Sequence, residues 1–560
     1  MRIADFVSSF LKKKGVNKIF MLTGYGSMYL NDAIKLADIK YYTTRNEATA
    51  PIMAEAFARL TNKIGVACVT AGPGSTNAIP GLAEAYVDSA PIIIFSGQVE
   101  YKQTTHSTKL KNIRTFGTAE INIIPIVKPI TKYAEIVKNP YDVKYILEKA
   151  YYLATNGRPG PVWIDIPQNI QKYEINPSKL KGFKPKNLDK KNISNENIKS
   201  IIKMLQNSSR PLLLAGNGVR QSNTLKDLKK LIKKAKMPVI FSRFAQDLIS
   251  HDNNFILGQV GIKGSRYCKN VMNSSDLVLS LGCRLSPQLV GHDFTAFKNA
   301  KVIAVDVEKD ELIKKGQKIN LPINCDLSSF FKFFFKSLKK IKLPKYTNWI
   351  SYCNTLKKNK PIIMNKIQKN PIDLYYFMQE LGELSSSKDV LITDAGSNYY
   401  VGGQVWKFKK GQREITSCSN AAMGLSVPLA IGAAVAKPKS QILAVTGDGS
   451  LELNIQELKT IAHNKFNIKL FVINNGGYVS MHNWADSFFK GRRLDTAKDT
   501  GDGTLNFSNI AKAFDLEHYL IKDVKNVRKD LKTILKSKKP IFVEVLTDSQ
   551  QKIFDAFKDY

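Results

Sequence analysis

One stretch of the sequence narrows the possible folds more than any other: VTGDGSLELNIQELKTIAHNKFNIKLFVINNGGYVS, from Val445 to Ser480. The runs QILAVTGDG and IKLFVINN are rich in β-branched and apolar residues, which is typical of buried parallel strands. The segment between them carries apolar residues at helical spacing, so the stretch predicts a strand, helix, strand crossover. Because both strands then end at the same sheet edge, we expect Asp448 and Asn475 to lie close together there.

The residues at this edge suit a metal-bridged anion. A carboxylate and an amide oxygen are ligands for a hard divalent cation such as Mg²⁺, which usually keeps substrate phosphate oxygens in its shell. Gly449 and Ser450 open the following helix, where backbone amides and the helix dipole favour an anion. The alternative is a strand-end turn and a solvated asparagine pair, which is the favoured explanation of the Gly-Asp-Gly motif taken alone.

Length and strand-like runs predict three domains. A chain of 560 residues with 43% hydrophobic content can bury several cores of ordinary domain size. Strand-like runs recur in three blocks, which predicts an α/β fold of three successive doubly wound parallel sheets. The expected domains are 1–170, 193–338 and 371–550. A cofactor can be held between two such sheets.

Charge and apolar runs exclude other classes. The net charge of +37 comes from lysines spread over faces and linkers with no aromatic-interleaved basic motif, so we expect no nucleic-acid partner. No apolar run is long enough to span a membrane, and the N-terminus has an acid and lysines where a signal peptide is apolar. We therefore expect a cytoplasmic protein without a membrane partner.

The cysteines fit a reducing compartment. They form no CxxC motif and are scattered among buried-type positions, which argues against a disulfide framework or a zinc site. The six are Cys68, Cys268, Cys283, Cys325, Cys353 and Cys418.

The GDGS motif, helix, second strand and asparagine pair together resemble the metal and diphosphate motif of thiamine diphosphate-dependent enzymes. The segment TTRNEATAPIMAEAFARLTNKIGVACVTAGPGSTNAIPGLAEAYVDSAPIIIFSGQV is similar to the pyrimidine-binding domain of the acetolactate synthase branch. The similarity continues through KPITKYA, GRPGPVWIDIP and NAAMGLSVPLAIGAAVA. The chain is therefore identified as a member of this family, which implies thiamine diphosphate and Mg²⁺ as cofactors.

The resemblance assigns the metal and the catalytic acid. The metal ligands it implies are Asp448, Asn475 and the backbone carbonyl of Gly477. It also implies that Glu47 gives a proton to the pyrimidine ring nitrogen of the cofactor, since the amino group of the cofactor acts as the base. Spacing alone favours a different role, in which Glu47 is an acid at a helix start that interacts with the helix dipole.

The resemblance also assigns cofactor contacts. Met423 falls where the family places an apolar residue under the bent cofactor; alone, it would be a core methionine. The other positions are Gly72, Pro73, Gly74, Asn77, Ser397, Asn398, Gly447, Gly449, Ser450 and Asn475. Ser397 and Asn398 fit a plain loop nearly as well. In relatives the GPGSTN loop reaches the pyrimidine from a partner subunit, which implies a homodimer or homotetramer.

The middle block leaves a flavin site open. Acetolactate synthases hold FAD on a sheet of this type, and Asp306 falls at a strand end where a ribose hydroxyl could bind. The GNG motif, 216–218, lacks the last glycine of a dinucleotide fingerprint, and GCRLSPQLVG departs from the loop of flavin-containing relatives. FAD is thus possible, and neither alternative is preferred.

These features predict an enzyme that decarboxylates pyruvate or a similar 2-keto acid and transfers the two-carbon unit to a second carbonyl, as in branched-chain amino acid biosynthesis. One alternative is transfer to a keto-sugar nucleotide in surface polysaccharide synthesis, because LTGYGSMYLND and the segment from NNGGYVS to the following FF, 474–489, resemble that sub-branch. Another alternative is a noncatalytic flavin or nucleotide-binding scaffold.

Overall fold

The computed structural model describes residues 1–110, 112–185, 192–339, 341–361, 369–417, 419–497, 500–501, 503 and 505–557. Cys418 lies outside these residues, and the five described cysteines are buried and unpaired. Three six-stranded sheets follow one another along the chain, and every strand pairing within them is parallel. The predicted α/β fold class is confirmed. We call the sheets and their helices the N-terminal, middle and C-terminal domains, and their exact boundaries stay predictions.

The N-terminal sheet has the strand order β2-β1-β3-β4-β6-β5. Its strands are β1 (Lys18–Met21), β2 (Lys40–Thr43), β3 (Gly65–Val69), β4 (Ile92–Gln98), β5 (Tyr133–Ile136) and β6 (Val162–Pro167). Its helices are α1 (Ile3–Lys13), α2 (Met28–Leu36), α3 (Thr49–Thr61), α4 (Pro73–Asn77), α5 (Ile79–Val87), α6 (Thr105–Thr108), α7 (Ile123–Val127), α8 (Val143–Thr155) and α9 (Gln168–Gln171). β3, β4 and β6 are buried along their whole length because helices cover both faces, which explains their continuous apolar runs.

The middle sheet has the strand order β12-β11-β10-β7-β8-β9. Its strands are β7 (Pro211–Ala215), β8 (Val239–Phe241), β9 (Ile256–Gln259), β10 (Leu277–Leu281), β11 (Lys301–Asp306) and β12 (Leu321–Asn324). Its helices are α10 (Asn195–Gln206), α11 (Gly218–Gln221), α12 (Leu225–Ala235), α13 (Cys268–Ser274), α14 (Pro287–Val290), α15 (Lys309–Ile313), α16 (Leu327–Leu338) and α17 (Thr347–Asn359). This order is that of dinucleotide-binding sheets, with its switch point between β7 and β10.

The C-terminal sheet has the order β14-β13-β15-β16-β18-β17, which repeats the pattern of the N-terminal sheet. Its strands are β13 (Val390–Thr393), β14 (Arg413–Thr416), β15 (Ile442–Gly447), β16 (Ile468–Asn474), β17 (Glu517–Ile521) and β18 (Ile541–Leu546). Its helices are α18 (Leu374–Leu384), α19 (Gly396–Val405), α20 (Ser426–Ala436), α21 (Asp448–Glu452), α22 (Leu458–Asn464), α23 (Val479–Phe488), α24 (Phe507–Ala513) and α25 (Val527–Lys536). Its switch point lies between β13 and β15, where ligands bind in open α/β sheets.

The two outer domains share one hydrophobic core. Helix α3 of the N-terminal domain packs on α20 of the C-terminal domain, and both are rich in alanine. A Cβ at Gly432 would lie 2.3 Å from the carbonyl oxygen of Met53, so the two helices approach more closely than any larger residue permits. The middle domain has its own core, with a phenylalanine cluster on α16. The packing of α3 on α20 fixes the position of the N-terminal sheet relative to the C-terminal sheet.

Among the described residues, no helix is long and apolar enough to cross a membrane.

Candidate active site

The carboxylate of Asp448 lies at the carboxyl end of β15, where four backbone amides bind it. Its Oδ1 accepts the amide of Gly449 at 3.0 Å, and its Oδ2 accepts those of Asn475, Gly476 and Gly477 at 3.1, 3.0 and 3.0 Å. Three successive amides can converge on one oxygen because Gly476 and Gly477 have positive φ angles of 76° and 123°. Burial raises the pKa of Asp448, and the four amides partly offset that effect. The predicted meeting of Asp448 with the segment around Asn475 is therefore observed.

The neighbouring side chains fit a metal ion. Asn475 is buried, and its Oδ1 has no hydrogen-bond donor within the described part of the chain. A buried amide oxygen without a donor is costly unless a ligand uses it, and a hard cation is such a ligand. No cluster of three His, Cys, Asp or Glu residues among the described residues offers another metal site. Asp448, Asn475 and the carbonyl of Gly477 thus form a donor set that suits Mg²⁺ rather than zinc.

Glycine is required at position 449. A Cβ there would lie 2.0 Å from Cε1 of Tyr478, so the tyrosine ring rests directly on the start of α21. The hydroxyl of Ser450 donates to Asp394 at 2.6 Å and accepts the amide of Gly424 at 2.8 Å. Ser450 was predicted as a cofactor contact, and these bonds give its hydroxyl a role within the protein.

The sequence did not predict a role for Asp394, whose hydrogen bonds join several elements at the carboxyl edge of the C-terminal sheet. It follows β13, is fully buried, and accepts hydrogen bonds from Ser450, Thr446 at 3.0 Å and Asn398 at 3.3 Å, as well as from the amide of Ser426 at 3.3 Å. Burial raises its pKa against the opposing effect of these donors. The motif DAG after a predicted strand was the available signal, and its position across the switch point from Asp448 becomes visible only in the fold.

The first turn of α19 carries the two other predicted polar contacts. Ser397 Oγ lies 3.4 Å from Oγ of Ser480, which belongs to the helix after the asparagine pair. Asn398 is buried, and its Oδ1 has no donor among the described residues.

Met423 is half-buried and precedes Gly424, whose φ of 79° bends the chain into α20. Gly447 ends β15 next to Asp448.

Glu47 lies in the turn between β2 and α3, beside the GPGSTN segment. Its Oε2 accepts the side-chain amide of Asn77 at 3.1 Å, and a Cβ at Gly74 would lie 3.3 Å from its Oε1. Gly72 has a φ of 55°, and a Cβ there would lie 2.1 Å from the carbonyl oxygen of Ala119. Pro73 is the first residue of α4. Sequence analysis therefore named residues that the fold brings together around Glu47.

A second missed residue, Glu457, fixes the turn that carries Glu47. Its buried carboxylate accepts the amide of Arg45 at 2.7 Å and the hydroxyls of Thr49 and Thr460, each at 2.8 Å. Glu457 belongs to the C-terminal domain, so the C-terminal domain fixes the backbone next to Glu47 of the N-terminal domain. No hydrogen bond joins the Glu47 group to the Asp448 group within the described chain.

In the crevice of the middle sheet, the two glycine amides of the GNG motif are hydrogen-bonded within the protein. The amides of Gly216 and Gly218, on the loop after β7, donate to the carbonyls of Leu281 and Gly282 at 2.9 and 3.1 Å. A Cβ at Gly216 would lie 2.1 Å from the Gly282 carbonyl oxygen, so the loops after β7 and β10 are in close contact at the switch point. Asp306, the predicted ribose ligand, accepts the amide of Glu308 at 2.9 Å.

Three family models match the chain. Residues 1–117 match the N-terminal TPP binding domain of thiamine pyrophosphate enzymes, 198–333 the central domain, and 394–545 the C-terminal TPP binding domain. The chain belongs to the family of thiamine pyrophosphate enzymes.

Several relatives within the family are named acetolactate synthase. It is 29% identical to the acetolactate synthase large subunit of Lactococcus lactis over 98% of this chain and 93% of that one. It is 30% identical to the probable acetolactate synthase large subunit of Methanococcus aeolicus, covering 98% and 92%, and 30% identical to the acetolactate synthase large subunit of Porphyra purpurea, covering 95% and 89%. The predicted acetolactate synthase-like branch is confirmed.

The role of Asp394 can be tested by a substitution of equal size. In Asp394→Asn, the side-chain NH₂ group would face the hydroxyls of Ser450 and Thr446, which are themselves donors. We expect the affinity for the cofactor to fall about tenfold, which is the usual effect of losing a residue that orients a ligand-binding group. Calorimetric titration with thiamine diphosphate and Mg²⁺ measures this. Asp389→Asn is the control, because Asp389 is also buried but lies at the opposite end of β13. Equal affinity in both variants would mean that Asp394 only supports the fold.

Proposed function

We propose that this chain decarboxylates pyruvate, or a closely similar 2-keto acid, and joins the two-carbon unit to a second 2-keto acid. The observation that carries the proposal is the Asp448 carboxylate, which accepts four backbone amides, together with the buried Oδ1 of Asn475, which has no donor among the described residues. The relatives named acetolactate synthase support this substrate class. They do not support transfer to a keto-sugar nucleotide, and a noncatalytic scaffold would leave this donor set without a role.

Each residue group has a separate task in the proposal. Asp448, Asn475 and the Gly477 carbonyl would hold Mg²⁺, which would bind the diphosphate of the cofactor. Thiamine diphosphate, when bound, supplies a nucleophilic carbon and an electron sink for the departing carboxylate. Glu47 would hold a proton at the pyrimidine ring nitrogen, and Asn77 orients its carboxyl group. Met423 would support the cofactor from below.

The other predicted cofactor contacts keep their proposed roles. The hydroxyl of Ser397 and the backbone amides at this helix start could donate to diphosphate oxygens, and the buried Oδ1 of Asn398, which has no donor among the described residues, could accept from a water bound to Mg²⁺. The remaining contacts would be made by backbone at Gly72, Pro73, Gly74, Gly447, Gly449 and Ser450. FAD is not part of the proposal, because the Gly216 and Gly218 amides of the GNG motif already donate to backbone carbonyls.

We also propose that the active unit is a homodimer or homotetramer in the cytoplasm. Support comes from α23, which starts two residues after Gly477 and leaves Met481, Trp484 and Phe488 exposed. These side chains recur along one helix face, and Trp484 and Phe488 stack at 5.2 Å between ring centroids. Apolar patches of this kind commonly mark protein interfaces. A second copy would cover this face at the edge of the site.

The proposed reaction has a defined product. Two pyruvate molecules should give one acetolactate and one carbon dioxide, and both should form only when thiamine diphosphate and Mg²⁺ are present. Mass spectrometry of the product together with carbon dioxide release measures this, with the same protein stripped of cofactor as control. Carbon dioxide without a five-carbon product would identify a simple decarboxylase. Absence of release from pyruvate and other 2-keto acids would refute the proposal.

A further inference from the structure

A groove of about 490 Å³ lies on the surface of the middle domain, between helices α12 and α16. Every residue that lines it belongs to one of these helices, except Lys339, which directly follows α16. The loops after β7 and β10, which form the middle crevice, contribute no lining residue. We call this feature the lysine groove, after the five lysines that line it: Lys230, Lys234, Lys332, Lys336 and Lys339.

The lysine groove carries an excess of positive charge. Its five lysines face a single carboxylate, that of Asp227. All five are exposed, and none forms a salt bridge within the described part of the chain. Lys230 and Lys234 are four residues apart on α12, a spacing at which like charges destabilise a helix. Lys332 and Lys336 repeat this spacing on α16, so a bound anion would relieve repulsion on both helices.

The helix dipole does not account for this arrangement. A lysine in the last turn of a helix is favourable at its negative end, which explains Lys234 and Lys336 taken singly. Lys230 and Lys332 lie in the middle of their helices, beyond the reach of this effect. They nevertheless line the same groove as the last-turn lysines. Two lysine-rich segments that lie far apart in the sequence thus converge in the fold.

The lining suits phosphate groups better than a base or a planar carboxylate. The ring of Phe335 lines the groove, but Lys230 Nζ lies 4.2 Å from its centroid, and Phe331 stacks on it with centroids 5.7 Å apart. A base therefore finds little aromatic surface. Among the described residues, no arginine lines the groove, and arginine is the side chain that matches a carboxylate with two parallel bonds. Lysine binds phosphate oxygens as a compact point charge.

The spread of the lysines sets the length of the ligand. Lys332 lies in the middle of α16 and Lys339 directly after its end, about 10 Å apart along an axis that rises about 1.5 Å per residue. A single phosphate cannot contact both ends of this row. A short chain of linked phosphates can, and it concentrates several negative charges in that length. An acidic peptide carries at most one carboxylate per residue, so its charge density is lower.

We propose that the lysine groove binds a short chain of linked phosphates, either inorganic polyphosphate or the triphosphate of a nucleotide. Lysines of α12 and α16 would donate to it from opposite walls, so the ligand would join the two helices. Binding to the folded state alone stabilises that state by mass action. No lining residue belongs to the candidate active site, so this proposal stands apart from the proposed reaction.

Isothermal titration calorimetry tests this on the enzyme saturated with thiamine diphosphate and Mg²⁺, with free Mg²⁺ equal in cell and syringe. Tripolyphosphate, ATP and orthophosphate are titrated separately. We expect tripolyphosphate or ATP to bind at least about tenfold more tightly than orthophosphate, because a phosphate chain contacts more lysines. The tighter of the two identifies the source of the chain. In the α12 variant Lys230→Gln/Lys234→Gln, its affinity should fall about tenfold, because two charge-assisted contacts are lost. The α16 variant Lys332→Gln/Lys336→Gln should lose a similar amount.

The matched control is Lys229→Gln/Lys233→Gln, which removes the same charge at the same spacing from α12, at positions that do not line the groove. It should bind the phosphate chain as the unmodified enzyme does. Equal affinity in the groove variants and the control would show that the anion binds elsewhere on this basic chain and would overturn the proposal. So would orthophosphate that binds as tightly as tripolyphosphate and ATP. All the substituted lysines are exposed, so the variants should fold.

Discussion

Replacement of Asp448 by alanine is expected to weaken binding of thiamine diphosphate with Mg²⁺ by at least about 100-fold. Loss of a residue that merely supports a metal ligand costs 10-fold to 100-fold in affinity, so loss of a charged ligand should cost no less. The variant also leaves the amides of Asn475, Gly476 and Gly477 without their acceptor. Isothermal titration calorimetry with the cofactor and Mg²⁺ measures the affinity.

A second variant separates the effect of the negative charge of Asp448 from its effect on the order of the loop whose amides it accepts. Asp448→Asn keeps an oxygen for the amides but removes the negative charge, so it should bind cofactor almost as poorly as Asp448→Ala while keeping more stability. Asp389→Ala provides the control, because Asp389 also accepts a backbone amide, that of Ser386, at 2.6 Å, but at the start of β13. Cofactor binding by Asp448→Asn at the unmodified level would show that the carboxylate orders the loop and does not hold the metal.

The central strands could be predicted from the sequence because burial on both faces leaves a continuous apolar run. β4 and β16 are examples, since helices cover the two faces of each sheet. The edge strands escaped prediction. β2 (KYYT) and β17 (EHYLI) are short and partly exposed, so polar and apolar residues mix and local periodicity is weak. Their positions follow from pairing with a neighbour that lies far along the chain.

The site was predictable where its residues follow one another closely in a motif. Asp448 and the asparagine pair flank a single crossover, so their meeting follows from the topology of that unit. Asp394 and Glu457 were missed because their partners belong to other elements: Ser450 follows a different strand, and Arg45 lies in another domain. A buried carboxylate gives no sequence signal of its own until the fold supplies its donors.

The repeated strand order of the two outer sheets explains why both halves of the site lie at equivalent edges. In the N-terminal sheet the loop after β3 carries Gly72, and in the C-terminal sheet the loop after the corresponding strand, β15, carries Asp448. Each loop lies beside a switch point, where neighbouring connections leave the sheet in opposite directions. In the proposed function, the edge with Gly72 would take the pyrimidine ring of the cofactor and the edge with Asp448 would take its diphosphate.

Substitution of Glu47 by glutamine is expected to lower turnover by about 100-fold or more while cofactor still binds. Glutamine keeps the size and a hydrogen bond to Asn77 but cannot give up or hold an acidic proton, and general acid–base catalysis contributes about 100-fold to 10,000-fold. Two measurements are needed: calorimetric affinity for thiamine diphosphate, and the rate of hydrogen–deuterium exchange at the thiazolium carbon of bound cofactor. The first should change little and the second should fall together with turnover.

The exchange rate distinguishes a proton-transfer role from a purely structural one. Glu47 lies at a helix start, where the only role of an acid could be a favourable interaction with the helix dipole. Loss of such an acid alters the free energy of unfolding by a few tenths to about 1 kcal/mol and does not alter exchange at the cofactor. Glu100→Gln is the matched control, because it removes a half-buried acid from the same domain, where Glu100 pairs with Lys172 at 3.1 Å. If Glu47→Gln exchanges as fast as Glu100→Gln, the helix-start role is correct. If only Glu47→Gln is slow, the carboxyl group that Asn77 orients is the one that acts on the cofactor.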